Sequence, residues 1–259
     1  VSSLPALESL SLSYCPWVSD KSLPLIPSTI KRLCLTGCGG GGALPSITES
    51  GLHKLLFTRC SENLMDLDLS HCRFMTPNVV KAIAHDLPNL VSLNLNWTCD
   101  IADYVSKFSR HCPKLTSFFI ADSKSTTDSA LAKVLTARPN LSELDITNCS
   151  ALFASDKCFK GLAQIKTLLI GGPCLTDQMI VRLLPACMSL KLLDMSACPS
   201  RVTSEGIRAA IEASLKQSSQ LKMIVLGGYR LSGKQSLKEL QDTFPQIQFV
   251  SLLPCNLTL

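Results

Sequence analysis

One pattern constrains this chain more than any other: a unit of the form L-x-x-L-x-L-x-x-C recurs from one end to the other. Copies start at Leu7, Ile30, Leu64, Leu90, Leu115, Leu141, Ile165, Leu190, Leu221 and Ile247. The intervals are 23, 34, 26, 25, 26, 24, 25, 31 and 26 residues, a period near 26 with two insertions. Self-similarity at such a period marks units that cannot bury an apolar face alone and must stack to do so. The clearest copies align Leu64, Leu67, Leu69 and Cys72 with Leu141, Leu144, Ile146 and Cys149, and with Leu190, Leu193, Met195 and Cys198. Alternation along a strand sends these leucines inward, so ten short strands are expected to form a parallel ladder.

Between the strands most units carry a helix signal. Ser19-Asp20, Thr76, Thr127-Asp128, Thr176-Asp177 and Thr203-Ser204 are N-cap candidates, because their side-chain oxygens accept the free amides of a first turn. Apolar residues follow at helical spacing, as in Val80, Ile83 and Leu87, or Ile207, Ile211 and Leu215. Pro88, Pro113, Pro139 and Pro245 then stop the helix before the next strand. Strands should line one face of an arc and helices the other.

The ninth position holds Cys15, Cys38, Cys72, Cys149, Cys198 and Cys255, with Thr98, Ser123, Pro173 and Tyr229 in the other copies. A small, weakly polar side chain there is expected inside the turn that leaves the strand, against otherwise unpaired backbone amides. Thirteen cysteines could suggest a disulfide framework, but a row of like positions reads as reduced structural thiols.

These residues resemble the leucine-rich repeats of F-box proteins, whose unit is C-P-x-L-x-x-L-x-L-x-x-C-x-x-[IV]-[ST]-D. Cys112-Pro113-Lys114-Leu115 looks like the opening of that unit, and Val18-Ser19-Asp20 and Leu175-Thr176-Asp177 look like its close. Cys60 and Cys187 fall where Cys112 does, just before a strand. The resemblance covers essentially the whole chain and implies an α/β leucine-rich-repeat solenoid, a horseshoe arc of about ten repeats with a parallel sheet on its concave face and helices on its convex face. In that family the repeats bind a substrate protein, and a helical F-box ahead of them docks to the adaptor of a cullin-type ubiquitin ligase. Nothing in this chain resembles an F-box; Leu23-Pro24-Leu25-Ile26-Pro27 already belongs to the first repeat. One leucine-rich-repeat domain over 1–259 is expected, with an insertion loop at about 39–55 and an upstream domain before Val1. An adaptor or scaffold of similar repeats without a ligase link, and an extracellular recognition domain, are the alternatives.

Composition narrows the function. Hydrophobic residues make up 46% of the chain and aromatics 5%, so the core is aliphatic. Lys and Arg exceed Asp and Glu by 25 − 20 = 5, with no dense basic run, which argues against nucleic acid. No stretch reaches the roughly 18 apolar residues of a membrane span, and no signal peptide opens the chain. A cytoplasmic or nuclear protein with a protein partner is expected.

The variable residues flanking the buried leucines should face the concave groove. The position after the first leucine is lysine in three consecutive repeats, Lys166, Lys191 and Lys222, roughly 5 Å apart. It reads either as a solvated edge or as a contact for an acidic segment. Asp66, Asp68, Asp145 and Asp194, with Trp97 and Phe119, supply carboxylates and aromatic anchors in the middle repeats. Leu169, Leu192, Met223, Val225, Phe249 and Leu253 form an apolar cluster toward the end, which marks either a contact site or a surface covered by a neighbouring segment.

Other chemistry is not supported. The glycines at 39–42 lack the Lys-Ser/Thr and strand-loop-helix context of a phosphate loop. His53, His71, His85 and His111 have no partner at zinc-like spacing, and no Cys-His dyad forms where alternation separates His71 from Cys72. Asp66 and Asp68 share a face, as a glycosidase pair would, but an open arc offers no deep pocket. No catalytic residue, cofactor or metal is therefore expected. Sequons at Asn96, Asn140, Asn148 and Asn256 read as products of the repeat, since sugars on Asn96 or Asn148 would fill the groove.

Overall fold

A computed structural model of the chain describes residues 4–39, 47–172, 175–196, 202–217, 219–227 and 234–252. The expectations placed on Pro173, Cys198, Tyr229, Leu253, Cys255, Asn256 and the glycines at 40–42 lie outside those residues. Ten strands follow the repeat: β1 (Ser9–Ser11), β2 (Arg32–Cys34), β3 (Asp66–Asp68), β4 (Ser92–Asn94), β5 (Ser117–Phe119), β6 (Glu143–Asp145), β7 (Thr167–Leu169), β8 (Leu192–Asp194), β9 (Met223–Gly227) and β10 (Gln248–Leu252). They form one sheet in sequence order, and each neighbouring pair is parallel. In β1 to β9 the second leucine of each unit pairs with the next, as Leu67 does with Leu93 and Leu168 with Leu193.

The helices are α1 (Glu49–Thr58), α2 (Pro77–Asp86), α3 (Ala102–Val105), α4 (Phe108–His111), α5 (Asp128–Ala137), α6 (Phe159–Leu162), α7 (Asp177–Leu183), α8 (Ser204–Leu215) and α9 (Lys234–Thr243). Thr76, Thr127, Thr176 and Thr203 cap α2, α5, α7 and α8, each side chain accepting from the amide three residues on. Thr48 does the same for α1, so a helix begins inside the stretch read as an insertion loop. Ser19-Asp20 caps no α-helix. Pro24 and Pro27 leave only a 3-10 turn over Leu23–Leu25, and Asp20 instead accepts from the backbone amide and hydroxyl of Thr48 in the next repeat, at 2.8 and 2.6 Å.

Strands in a sheet lie about 4.8 Å apart, whereas packed helices need about 8–10 Å. Stacking one of each per repeat bends the array, with the sheet on the inside. Between the two layers lies one aliphatic core in which Leu64, Leu90, Leu115, Leu141, Ile165 and Leu190 are fully buried. The apolar spacing of α2 holds, with Val80, Ile83 and Leu87 buried; in α8 Ile207 and Ile211 are buried but Leu215 is exposed.

The ten described cysteines are free. Cys38, Cys72 and Cys149 donate Sγ–H to the carbonyls of Leu12, Leu35 and Ile120, at 2.9, 3.0 and 3.4 Å. The ninth-position thiol therefore serves carbonyls of the preceding repeat, each of which also accepts a backbone amide of its own turn, and not amides as the turn chemistry suggested. A thiol is a weak donor and a weaker acceptor, and the third-leucine carbonyl is what faces it.

Candidate functional site

The concave face is built from the residues on either side of the second leucine. Over β1 to β4 these are polar. Arg32, Cys34, Asp66, Asp68 and Asn94, closed on one side by Phe119, line a shallow depression of about 190 Å³. Asp66 stands opposite Arg32 in the ladder; burial pushes its carboxyl up, against the pull of the Arg32 charge. Asp66 and Asp68 do share this face, but Asp68 is engaged. Its Oδ1 accepts from the Ser70 amide and hydroxyl at 2.9 and 2.7 Å, and its Oδ2 from Asn94 Nδ2 at 3.1 Å.

That engagement recurs. Asn94, Asp145 and Asp194 each accept the amide two residues on, from Asn96, Thr147 and Ser196, at 3.0, 2.9 and 2.7 Å. The carboxylates expected to meet a partner thus first hold the turn that ends each strand. Phe119 lacks an acceptor, and the amide of Ala121 in that repeat is taken by Asn96 Oδ1 from the repeat before, at 2.6 Å. The Nδ2 of the same Asn96 donates to Asp145 Oδ2 at 2.6 Å. Asp145 is only 5% exposed, and burial, reinforced by the Asp194 charge, outweighs its hydrogen bonds from Thr147 and Asn96 and raises its carboxyl above the ordinary range.

Toward the end of the arc the face turns apolar. Leu169, Leu192 and Met223 are half-buried there, and Asp194 pairs in register between Leu169 and Val225. Two residues depart from expectation. Val225 occupies the concave register but is only 9% exposed. Phe249 stands opposite Ile224, an inward position, and packs against the core, while Val250 takes the concave place beside Val225. The cause is a one-residue change of register, which reverses the faces of a strand. Gln241 in α9 fixes it, donating from Nε2 to the Ile247 carbonyl at 2.9 Å and accepting from the Phe249 amide at 3.2 Å along the strand's outer edge. Lys166, Lys191 and Lys222 are exposed and adjacent, joined through their backbones at 2.8 and 2.9 Å, and form a basic edge to the strip.

Trp97 also lies elsewhere than expected. It belongs to a row in the turn after the strand, where Tyr14, Gly37, His71, Trp97, Asp122, Asn148 and Gly172 all have positive φ. The left-handed conformation points the amide at the next repeat: His71 donates to the Asn96 carbonyl and Trp97 to the Ala121 carbonyl, both at 2.9 Å. Each non-glycine member costs about 1–2 kcal/mol, offset by this second ladder. Trp97, 42% exposed, stacks on His71 at 6.3 Å between ring centroids, and Tyr14, 67% exposed, covers Gly37, where a Cβ would meet its ring at 2.5 Å. The rim was legible in principle, because glycine, asparagine and aspartate together favour that conformation. Asn148 donates to Asp122, so the amide nitrogens of the sequon residues Asn96 and Asn148 are both engaged inside the repeat ladders.

Cys34 differs from the buried thiols. It lies 3.0 Å from Ser13 Oγ and 3.1 Å from Thr36 Oγ1, and although burial raises its thiol, those hydrogen bonds bring it below the ordinary value. Among the described residues no three His, Cys, Asp or Glu side chains are grouped to hold a metal ion, and no helix is long and apolar enough to cross a membrane.

No family model matches the chain. Among solved structures, it superposes on a chain from the crystal structure of the yeast Rad7–Elc1 complex with a TM-score of 0.62 and 18% identity, over 98% of this chain and 73% of that one. It also superposes on a chain from the TLR13–ssRNA13 complex with a TM-score of 0.52 and 14% identity, over 97% of this chain and 37% of that one. Ten parallel strands in one sheet backed by helices, with this likeness, define a leucine-rich-repeat solenoid. The class is that of repeat proteins which present a surface for interaction.

Proposed function

We propose that this chain is the substrate-recognition repeat region of an F-box-type ubiquitin ligase receptor, and that the concave strip of Leu169, Leu192 and Met223 receives the substrate protein. The observation that carries the reading is the change along the concave face. Polar side chains tied into turns in β3, β4 and β6 give way to half-buried apolar ones bordered by the lysines of β7 to β9. An apolar centre with a charged rim is the composition of a protein interface. The ligase assignment draws on the cysteine-containing unit, whose opening and close fall at Cys112-Pro113 and Leu175-Thr176-Asp177. The likeness to a chain crystallised in the Rad7–Elc1 complex adds a precedent for this fold within a protein assembly.

The test is a photo-cross-linking amino acid placed at Met223 in the full-length gene product, with one at Lys216 on the helical side as control. A protein cross-linked at Met223 alone, co-purification of a cullin adaptor, and ubiquitin conjugation of the cross-linked protein in a reconstituted reaction are expected. Cross-linking without adaptor or conjugation replaces the ligase reading by that of a scaffold. Absence of any cross-link at Met223 removes the concave strip as the site.

A further inference from the structure

The helical face carries a second feature. Between α2 and α5, each of ten residues, the intervening repeat has only the four-residue helices α3 and α4. The surface dips there into a groove of about 830 Å³ whose floor is made of small side chains, among them Ala84, Ser109 and Ala132. Its walls carry Lys81 from α2, Lys107 and Arg110 from the α3–α4 repeat, Lys133 from α5 and Lys157 ahead of α6. All five are exposed, and no carboxylate lines the groove.

Among the described residues none of these five is in an ion pair; Lys107 lies 5.1 Å above the Tyr104 ring. Of the acids on the same stretches, Asp103 on α3 is exposed but does not line the groove, and three others are committed. Asp86 contacts His85 Nδ1 at 2.6 Å, Asp128 accepts the amides of Phe153 and Ser155 at 2.6 and 2.7 Å, and Asp156 pairs with Arg182. The chain's net charge is +5, and five unopposed cations are gathered in this one hollow.

We propose that this groove binds an extended acidic segment of a partner polypeptide. The cations belong to four consecutive repeats, which at the helix spacing of about 8–10 Å span roughly 25–30 Å. An extended chain rises about 3.3 Å per residue, so about eight or nine residues cross the row, with a carboxylate near every third place meeting a cation. Peptide is favoured over single-stranded nucleic acid because the rings lining the groove are only the imidazoles of His85 and His111, with no Phe, Tyr or Trp, and base stacking on large aromatic rings supplies much of the affinity for bare strands. The site lies on the face opposite the concave strip and stands independently of the ligase reading.

Fluorescence anisotropy with a labelled ten-residue glutamate peptide tests it on the full chain. Binding is expected to weaken at least tenfold in K107E/R110E and at least threefold in K107Q/R110Q. It should change less than twofold in K216E/K238E, which removes the same charge elsewhere. Equal losses in the two charge-reversal pairs would show bulk attraction and overturn the proposal. So would a labelled ten-nucleotide uridine RNA that binds the groove where the peptide does not, or millimolar inorganic phosphate that displaces the peptide completely. Circular dichroism melts check the fold, and if K107E/R110E does not fold the glutamine pair decides the outcome.

Discussion

The Asp177 carboxylate stands where a side chain at Gly206 would have to go. A Cβ on Gly206 would lie 2.0 Å from Asp177 Oδ1, and the same carboxylate accepts from the backbone amide and hydroxyl of Thr203 at 2.7 Å each. One helix start thus secures the cap of the next, and Asp20 with Thr48 and Gly51 repeats the arrangement, with a Cβ at Gly51 1.9 Å from Asp20 Oδ1. Alanine is ordinarily better than glycine in a helix by about 1 kcal/mol. Gly206→Ala is nevertheless expected to destabilise by about 1–3 kcal/mol, because it displaces a charged acceptor from two donors. Urea midpoints measure this, and pairing the change with Asp177→Ala should give far less than the sum of the two effects. A stabilised Gly206→Ala protein would contradict the close approach.

Asn96 joins three repeats through Asp145 and the Ala121 amide. Its replacement by alanine orphans a backbone donor and takes a donor from a buried carboxylate, for an expected loss of about 1–3 kcal/mol. Asn140→Ala, another sequon residue but an exposed one, should change the midpoint by less than about 0.5 kcal/mol. Similar effects at the two positions would remove Asn96 from this role.

Met223 and Phe249 are predicted to separate. Phe249 is inward and partly buried, so Phe249→Ala should cost about 2 kcal/mol, less than a fully enclosed phenylalanine. Met223→Asp, on the open face, should leave the thermal midpoint within a degree or two of the parent while abolishing partner capture. A fold insensitive to Phe249 would mean that β10 pairs in the other register.

The thiols predict an alkaline limit to stability. Burial pushes Cys72, Cys112, Cys149, Cys158 and Cys187 up to about 12 from an ordinary 9.0. Unfolded chains begin to lose these protons near 9 while the folded protein retains them. The stabilisation is therefore complete below that pH and lost as pH rises toward 12. Each thiol contributes about 1.4 kcal/mol of loss at pH 10. The urea midpoint should fall between pH 7.5 and 10, and less so in Cys149→Ser. An unchanged midpoint would place these thiols in water.

Cys34 should behave oppositely toward reagents. With its thiol below the ordinary value and half-exposed, it should be alkylated by iodoacetamide at pH 8 at least tenfold faster than those five, as peptide mapping would read. Uniform labelling would show that the hydroxyls of Ser13 and Thr36 do not act on it.

Much of this molecule is legible in its sequence. The interval near 26 residues fixes strand number, order and parallel pairing, because a leucine in each unit has nowhere to be buried except against its counterpart in the next. Thr76, Thr127, Thr176 and Thr203 announced their helices by local chemistry alone. The candidate surface was less legible. Asp68, Asp145 and Asp194 look like free carboxylates in the sequence, and only their distance to an amide two residues on shows what occupies them.

The repeat by itself determined the solenoid, the unpaired state of the ten described cysteines and the side on which variable residues lie, since these follow from periodicity and neighbour packing. Tertiary structure alone decided the rest. Gln241 chose the face of Phe249, a left-handed turn moved Trp97 from groove to rim, and two shortened helices gathered Lys81, Lys107, Arg110, Lys133 and Lys157 around one hollow. Each depends on contacts between residues far apart in the chain or on backbone dihedrals, and a pattern of apolar spacing carries neither.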